Sequence, residues 1–181
     1  MILPNHVRNV LKFSKLKPTE IDFILERFST KEENGERMFD LDMVIPEPRL
    51  EADCPEGCKV NKDSHVQTDE KRPWFDWYTW HNKYWGTKWN AYDGYVKIGK
   101  TWVMFVFSTA WNIPYPVYEQ LAKKYNFRFE VRYADEDYGS NCGILTCEPD
   151  GMTGKMTLYH DDATDYYKDP REFAMRIWNT Y

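Results

Sequence analysis

YWGTKWNAYDGYVKIGKTWVMFVFSTAW, residues 84–111, decides how the chain is read. Within it Tyr92, Val96 and Ile98 follow the alternation of a strand, and Gly99-Lys100 supplies a turn. Trp102 to Phe107 is apolar on both faces, as a central strand covered from both sides would be. Upstream, Trp74, Trp77, Tyr78, His81 and Trp85 recur three or four apart, which predicts a helix over 74–89 that Gly86 ends.

Working outward, His6 to Phe13 reads as a first strand. Pro18 then opens a helix whose Ile21, Ile24, Leu25 and Phe28 share a face. Asn34-Gly35 breaks the chain, and Phe39 to Ile45 reads as a short strand stopped by Pro46. Residues 46–71 are a long polar stretch, expected to be a flexible loop insertion. Pro114 and Pro116 open a helix with Val117, Leu121 and Tyr125 inward. Phe127, Phe129, Val131 and Tyr133 alternate with charged residues as a half-buried strand. Two more strands lie around Ile144 and over 156–159, separated by Pro149-Asp150-Gly151. Asp169, Pro170 and Glu172 have the spacing of a capping box before a last helix carrying Phe173, Ile177 and Trp178. The mixture predicts one α+β domain over 1–181: a ferredoxin-like sandwich, with helices packed mainly on one face of an antiparallel sheet.

The length, 181 residues, suits one core, and the aromatic share of 17% makes that core rich in rings. No apolar run reaches membrane-spanning length, and MILPNHVRNV lacks the anatomy of a secretory signal. A cytoplasmic location is therefore expected. Cys54, Cys58, Cys142 and Cys147 do not have the two-residue gaps usual for zinc, and 142 and 147 would point to opposite faces of a strand. Thiols free of metal and disulfide are expected, and no cofactor. The net charge of −5 is unevenly spread: 71–124 is net +5, whereas 1–70 is net −5 and 130–170 is net −7. A basic, ring-rich middle between acidic flanks suits a partner presenting both signs.

Pro4-Asn5-His6-Val7-Arg8-Asn9, Trp85-Gly86-Thr87-Lys88-Trp89-Asn90, and Ser108-Thr109-Ala110-Trp111 followed by prolines resemble the YubB-like ferredoxin-domain family of phages, plasmids and other mobile elements. Phe39-Asp40-Leu41 through Ile45-Pro46-Glu47-Pro48 fits the same pattern. Where that family tends to place Ser-Pro-Pro after Thr-Ala-Trp, this chain departs with Asn112-Ile113-Pro114-Tyr115-Pro116. The resemblance implies the fold, and its phage setting implies an accessory role of the kind played by anti-CRISPR inhibitors of RNA-guided nucleases.

Rings that stack on bases beside lysines that neutralise phosphates make a single-strand platform. Trp85, Thr87, Lys88, Trp89, Lys97, Lys100 and Trp111 are its candidate residues, with a host nuclease complex or its guide RNA as the expected partner. The bland alternative is that Trp85 and Trp89 are core and Gly86 caps a helix. Lys88 is expected at the surface or beside a carboxylate such as Asp93. Asp135, Glu136, Asp137, Glu148, Asp161, Asp162 and Asp165 suggest a solvated or nucleic-acid-mimicking acidic face, rather than a magnesium site for phosphodiester cleavage. His6, His65, His81 and His160 keep a small ribonuclease open as an alternative, and His81 is expected to pack on the ring-rich helix. A protein-binding adaptor is the third reading. No nucleophile elbow, phosphate loop or dinucleotide fingerprint is present.

Overall fold

The computed structural model describes residues 5–31, 35–60, 68–150, 153, 155–162 and 169–179. The expectations for Pro4, Asn34, His65, Gly151 and Asp165 lie outside these residues. The frame begins with β1 (His6–Ser14) and α1 (Pro18–Phe28). After an insertion come β6 (Tyr92–Ile98), β7 (Trp102–Ala110), α4 (Tyr115–Lys124), β8 (Phe129–Asp135), β9 (Cys142–Pro149), β10 (Met156–Asp162) and α5 (Pro170–Asn179). One sheet runs β10-β9-β8-β1-β7-β6. Every neighbouring pair in it is antiparallel. The units β1-α1-β6 and β7-α4-β8 interleave, each slotting a strand of the other between its own two. That interleaving is the ferredoxin-like arrangement, here extended by β9 and β10.

Strand parity divides the molecule into two packed sides. Val7, Leu11 and Phe13 of β1 face the helices and bury against Ile24 and Phe28 of α1 and Val117 and Leu121 of α4. Val10 of β1 and Met104 and Val106 of β7 point the other way, where Phe173, Ala174 and Ile177 of α5 join them. Most helices thus lie on one face, as expected, and α5 covers part of the second. β7 is buried from Val103 to Ala110, the central strand its sequence predicts. Cys142 and Cys147 do take opposite sides of β9. No helix among the described residues is long and apolar enough to cross a membrane.

The insertion holds β2 (Ser29–Lys31), β3 (Arg37–Phe39), α2 (Leu41–Val44), β4 (Thr68–Asp69), β5 (Arg72–Asp76) and α3 (Trp77–Tyr84). Two expectations are corrected there. The strand predicted over 39–45 ends at Phe39, and a helical turn follows because Asp40 accepts a hydrogen bond from the Asp42 N–H at 2.9 Å while Asn90 accepts from Leu41 N–H at 2.8 Å. Leu41 and Val44, three apart, are then both buried. The helix predicted over 74–89 is shorter at both ends. Arg72–Asp76 is a strand, with Phe75 buried, and Asp76 caps the helix by accepting from Thr79 N–H. Residues 46–60 of the expected loop carry a 3-10 turn at Glu51–Asp53 and a buried Cys58. They are tied to β5 by Val60 N–H donating to Trp74 and Asp76 N–H donating to Cys58. At α5, Asp169 accepts from Arg171 N–H as a cap should, but Glu172 accepts from Arg176 instead of closing a box.

Candidate nucleic-acid interface

The Trp85–Trp89 segment comes off the end of α3 and is bound to the sheet atom by atom. Trp85 is only 2% exposed; its indole stacks on His81 at 4.2 Å and its Nε1–H donates to the Ile45 carbonyl. Gly86 has φ of +79°, and a Cβ there would stand 2.7 Å from Pro116 Cδ, so only glycine fits. Thr87 lengthens β7 from its end: its hydroxyl donates to the Ala110 carbonyl at 2.9 Å and accepts from Ala110 N–H at 3.0 Å. The core reading therefore holds for Trp85. Lys88, only 8% exposed, lies between two indoles, with Nζ 4.8 Å from the Trp89 ring centre and 5.0 Å from that of Trp111. Its expected partner Asp93 instead faces Arg8, at 3.5 Å. Two ring faces thus take the place of a carboxylate. Trp111 reaches this position with φ of +67°, a left-handed backbone uncommon for a bulky residue. Its carbonyl accepts from Asn141 Nδ2, and its N–H donates to Asn5.

Lys97 and Lys100 are carried elsewhere. Lys88 sits just before β6, and both of those lysines sit at or beyond its far end, a strand of seven residues and roughly 20 Å away. There they meet residues that the sequence reading did not single out. Lys12 of β1 and Lys97 of β6 both pair in register with Met104 of β7, so the three form one row across the sheet. This row lies on the face that α5 shares, but α5 packs on β8, β1 and β9. Met104 and Val106 join the α5 cluster, and beyond them, among the described residues, side chains cover the β6 edge of this face. Lys12 Nζ stands 5.3 Å from the Trp102 ring and Lys97 Nζ 5.6 Å from the Tyr95 ring. Both rings are half-buried, while Lys12, Lys97 and Lys100 are exposed. Nearby, Arg132 pairs with Glu130 and Arg128 with Glu148. The chemistry on offer is stacking surface and phosphate-neutralising charge in adjacent positions. The parity of β1, which turns Lys12 away from Leu11 and Phe13, was the readable signal for this face.

Residues 84–180 match the model of a family described as the ferredoxin-like domain in Api92-like protein. The chain belongs to this family. The match takes in β6 through α5, more than half of the chain, whereas β1 and α1, which complete the interleaved frame, lie before it. The description names a fold and no activity. Comparison with curated proteins and with solved structures finds no match.

At the opposite end of the sheet, this Api92-like family member gathers its carboxylates. Asn5 Nδ2 donates to Asp137 at 2.8 Å and to Asp135 at 3.3 Å, and Glu136 accepts from His6 N–H. Asp135, expected on a solvated face, is instead buried because Asn5 and Asn141 satisfy its carboxylate, while Glu136 and Asp137 are exposed. The Tyr92 hydroxyl, 2.5 Å from His6 Nδ1, is pushed up to about 12 by burial and then by the charges of Glu136 and Asp93. Among the described residues no group of three or more His, Cys, Asp or Glu is placed to hold a metal. The described imidazoles are each engaged on separate elements. His6 meets Tyr92 and His160 meets Tyr133, while His81 donates through Nδ1–H to the Lys88 carbonyl and faces Glu47 with Nε2. Cys54, Cys58 and Cys147 are buried without disulfides. Burial raises all three thiols, Cys147 to about 11, which leaves them protonated and poorly nucleophilic near neutral pH.

Proposed function

We propose that this chain is an accessory protein of a mobile genetic element, working in the host cytoplasm against a nucleic-acid defence. An RNA-guided DNA nuclease is the target its layout suits best. It acts as an anti-CRISPR-type inhibitor, by contact with the nuclease or its guide RNA and without cutting either. One observation carries this reading: Lys12 over Trp102 and Lys97 over Tyr95 stand exposed on either side of Met104, on a sheet face that α5 covers only in part. Rings and cations in that arrangement grip single strands with little regard to sequence. The exposed carboxylates at the other end, Glu136 and Asp137, suit the basic channel in which such nucleases hold nucleic acid. Membership of a ferredoxin-like family and the YubB-like motifs support the mobile-element setting.

The test is a DNA-cleavage assay with purified RNA-guided nucleases of several effector types. Wild-type protein is expected to slow at least one of them, and the double variant Lys12→Glu/Lys97→Glu to lose at least tenfold in potency. The guide RNA is expected to remain intact. A protein that slows none of them refutes the inhibitor reading. RNA degraded in step with inhibition replaces it with the ribonuclease reading, and undiminished potency in the double variant favours a protein-only adaptor.

A further inference from the structure

The helix side of the molecule carries two adjoining hollows, away from the sheet face just described. The first, about 490 Å3, lies between the end of α4 and the start of β10, lined by Lys123, Lys124 and Lys155 together with Tyr125 and Asn126. The second, about 440 Å3, lies between α1 and the link from α4 to β8, where Phe23, Tyr125 and Phe127 line it. Lys124, Tyr125 and Asn126 line both, so the hollows are neighbours along one segment. Each is within the range of small-ligand sites, roughly 300–1,000 Å3.

Their linings differ in kind. Lys123 pairs loosely with Glu119 at 3.6 Å, and neither Lys124 nor Lys155 has a carboxylate partner among the described residues. Glu20, which lines the second hollow, is held by Lys17 N–H at 2.7 Å, and Asp150, across the hairpin from Lys155, accepts from the Thr153 hydroxyl at 2.8 Å. In the second hollow Phe23 lies 5.9 Å from Tyr125 and 6.0 Å from Phe127, and the last two rings are nearly parallel at 12°. Phe23 is 43% exposed, although phenylalanine ordinarily goes to the interior. Lys124 and Lys155, without a carboxylate partner among the described residues, stand beside the exposed Phe23 and the half-buried Tyr125 and Phe127, which suits a ligand anionic at one end and flat and aromatic at the other.

We propose that the two hollows together form a second nucleic-acid contact, seating one nucleotide of a single strand. Its phosphate lies against Lys124 and Lys155 and its base against Phe23, Tyr125 and Phe127. A bare anion has no use for the rings, and a purely apolar partner would strand the lysines. Because the rings offer faces rather than donors, the base is accepted without regard to identity. This contact goes beyond the sheet-face reading and stands on different residues on the opposite side of the sheet.

Fluorescence anisotropy with labelled single-stranded RNA and DNA dodecamers of mixed sequence, at two salt concentrations, tests it. Lys124→Gln/Lys155→Gln is expected to weaken binding at least tenfold and to flatten the salt dependence. Phe23→Ala is expected to weaken it by about fivefold to a hundredfold for loss of one stacked base. Thermal melts confirm that these surface variants remain folded. Unchanged affinity in both variants overturns the proposal. So does a groove that inorganic phosphate blocks while Phe23→Ala changes nothing, since that is an anion site only. If Lys12→Glu/Lys97→Glu abolishes binding and the groove variants do not, the sheet-face reading survives and this one falls; the reverse result separates them the other way.

Discussion

A lysine meets indole twice in this molecule, and the two meetings have opposite surroundings. Lys88 is closed between Trp89 and Trp111, 8% exposed, with its own carbonyl bonded to His81. Next to it Thr87 is zipped to Ala110, and the Trp111 carbonyl is held by Asn141. Lys12 meets Trp102 at a similar distance, yet Lys12 is exposed and the ring only half-buried, on a sheet face that α5 covers only in part. The contacting groups are alike; the hydrogen-bonded frame around them is not. Where every neighbouring polar atom is engaged, the pair is part of the fold. Where the pair lies across an open surface, it is free to be displaced by something else.

The largest effect that can break this comparison belongs to Trp85, the indole that opens the closed region. Trp85→Ala removes a side chain stacked on His81 and bonded to Ile45, and is expected to cost about 3–5 kcal/mol in denaturant unfolding. A loss under about 1 kcal/mol would mean that the region is not integral to the fold. Next comes Lys88→Met, which keeps the packed stem and loses the cation. Two desolvated ring contacts are worth about 2 kcal/mol, and that is the expected loss of stability. RNA affinity is expected to be unchanged. An affinity loss without a stability loss would move the binding platform to this end of the sheet.

A smaller and pH-dependent effect sharpens the same contrast at the base of the closed region. Burial alone would raise the Glu47 carboxyl, but hydrogen bonds and positive charge from His81 and Arg72 outweigh it and hold the group below its ordinary value. A carboxylate lowered on folding contributes stability above its unfolded value, and that contribution disappears as pH falls through the folded value. Unfolding midpoints measured from about pH 6 down to about pH 3 are therefore expected to fall less steeply for Glu47→Gln than for the wild type. Parallel curves would show that the His81–Glu47–Arg72 link contributes nothing to the fold.

The ferredoxin-like frame was legible because its signals are periodic and long. Trp102 to Phe107 reads as a central strand, Gly99-Lys100 as a turn, and α1 and α4 as prolines followed by spaced apolar residues. Shorter elements were not legible. Leu41 and Val44 fit either a strand or a helical turn, and only Asp40 and Asn90, brought together by the fold, decide between them. The aromatic run from Trp74 reads as helix throughout, although Phe75 pairs across to Lys59. At the candidate interface, Lys88, Lys97 and Lys100 are near one another in the chain, and β6 separates them along its length. Lys12 and Lys97, distant in the chain, become neighbours through Met104. Proximity in sequence was a poor guide on both counts, because strand register, which no single strand encodes, sets who meets whom.

The smallest expected effect is also the most discriminating. Lys12→Met and Lys97→Met each remove one exposed cation from a ring, an interaction worth about 0.5–1 kcal/mol at most. Unfolding midpoints are thus expected to move little, less than for Lys88→Met, while RNA affinity falls and its salt dependence flattens. The near-silence in stability matters as much as the loss in binding. A residue that supports the fold loses both together, and a residue that serves a partner loses only the second. If Lys12→Met and Lys97→Met instead destabilise the protein as much as Lys88→Met does, their rings and cations are roofing the sheet, and the open face is simply the second half of the core.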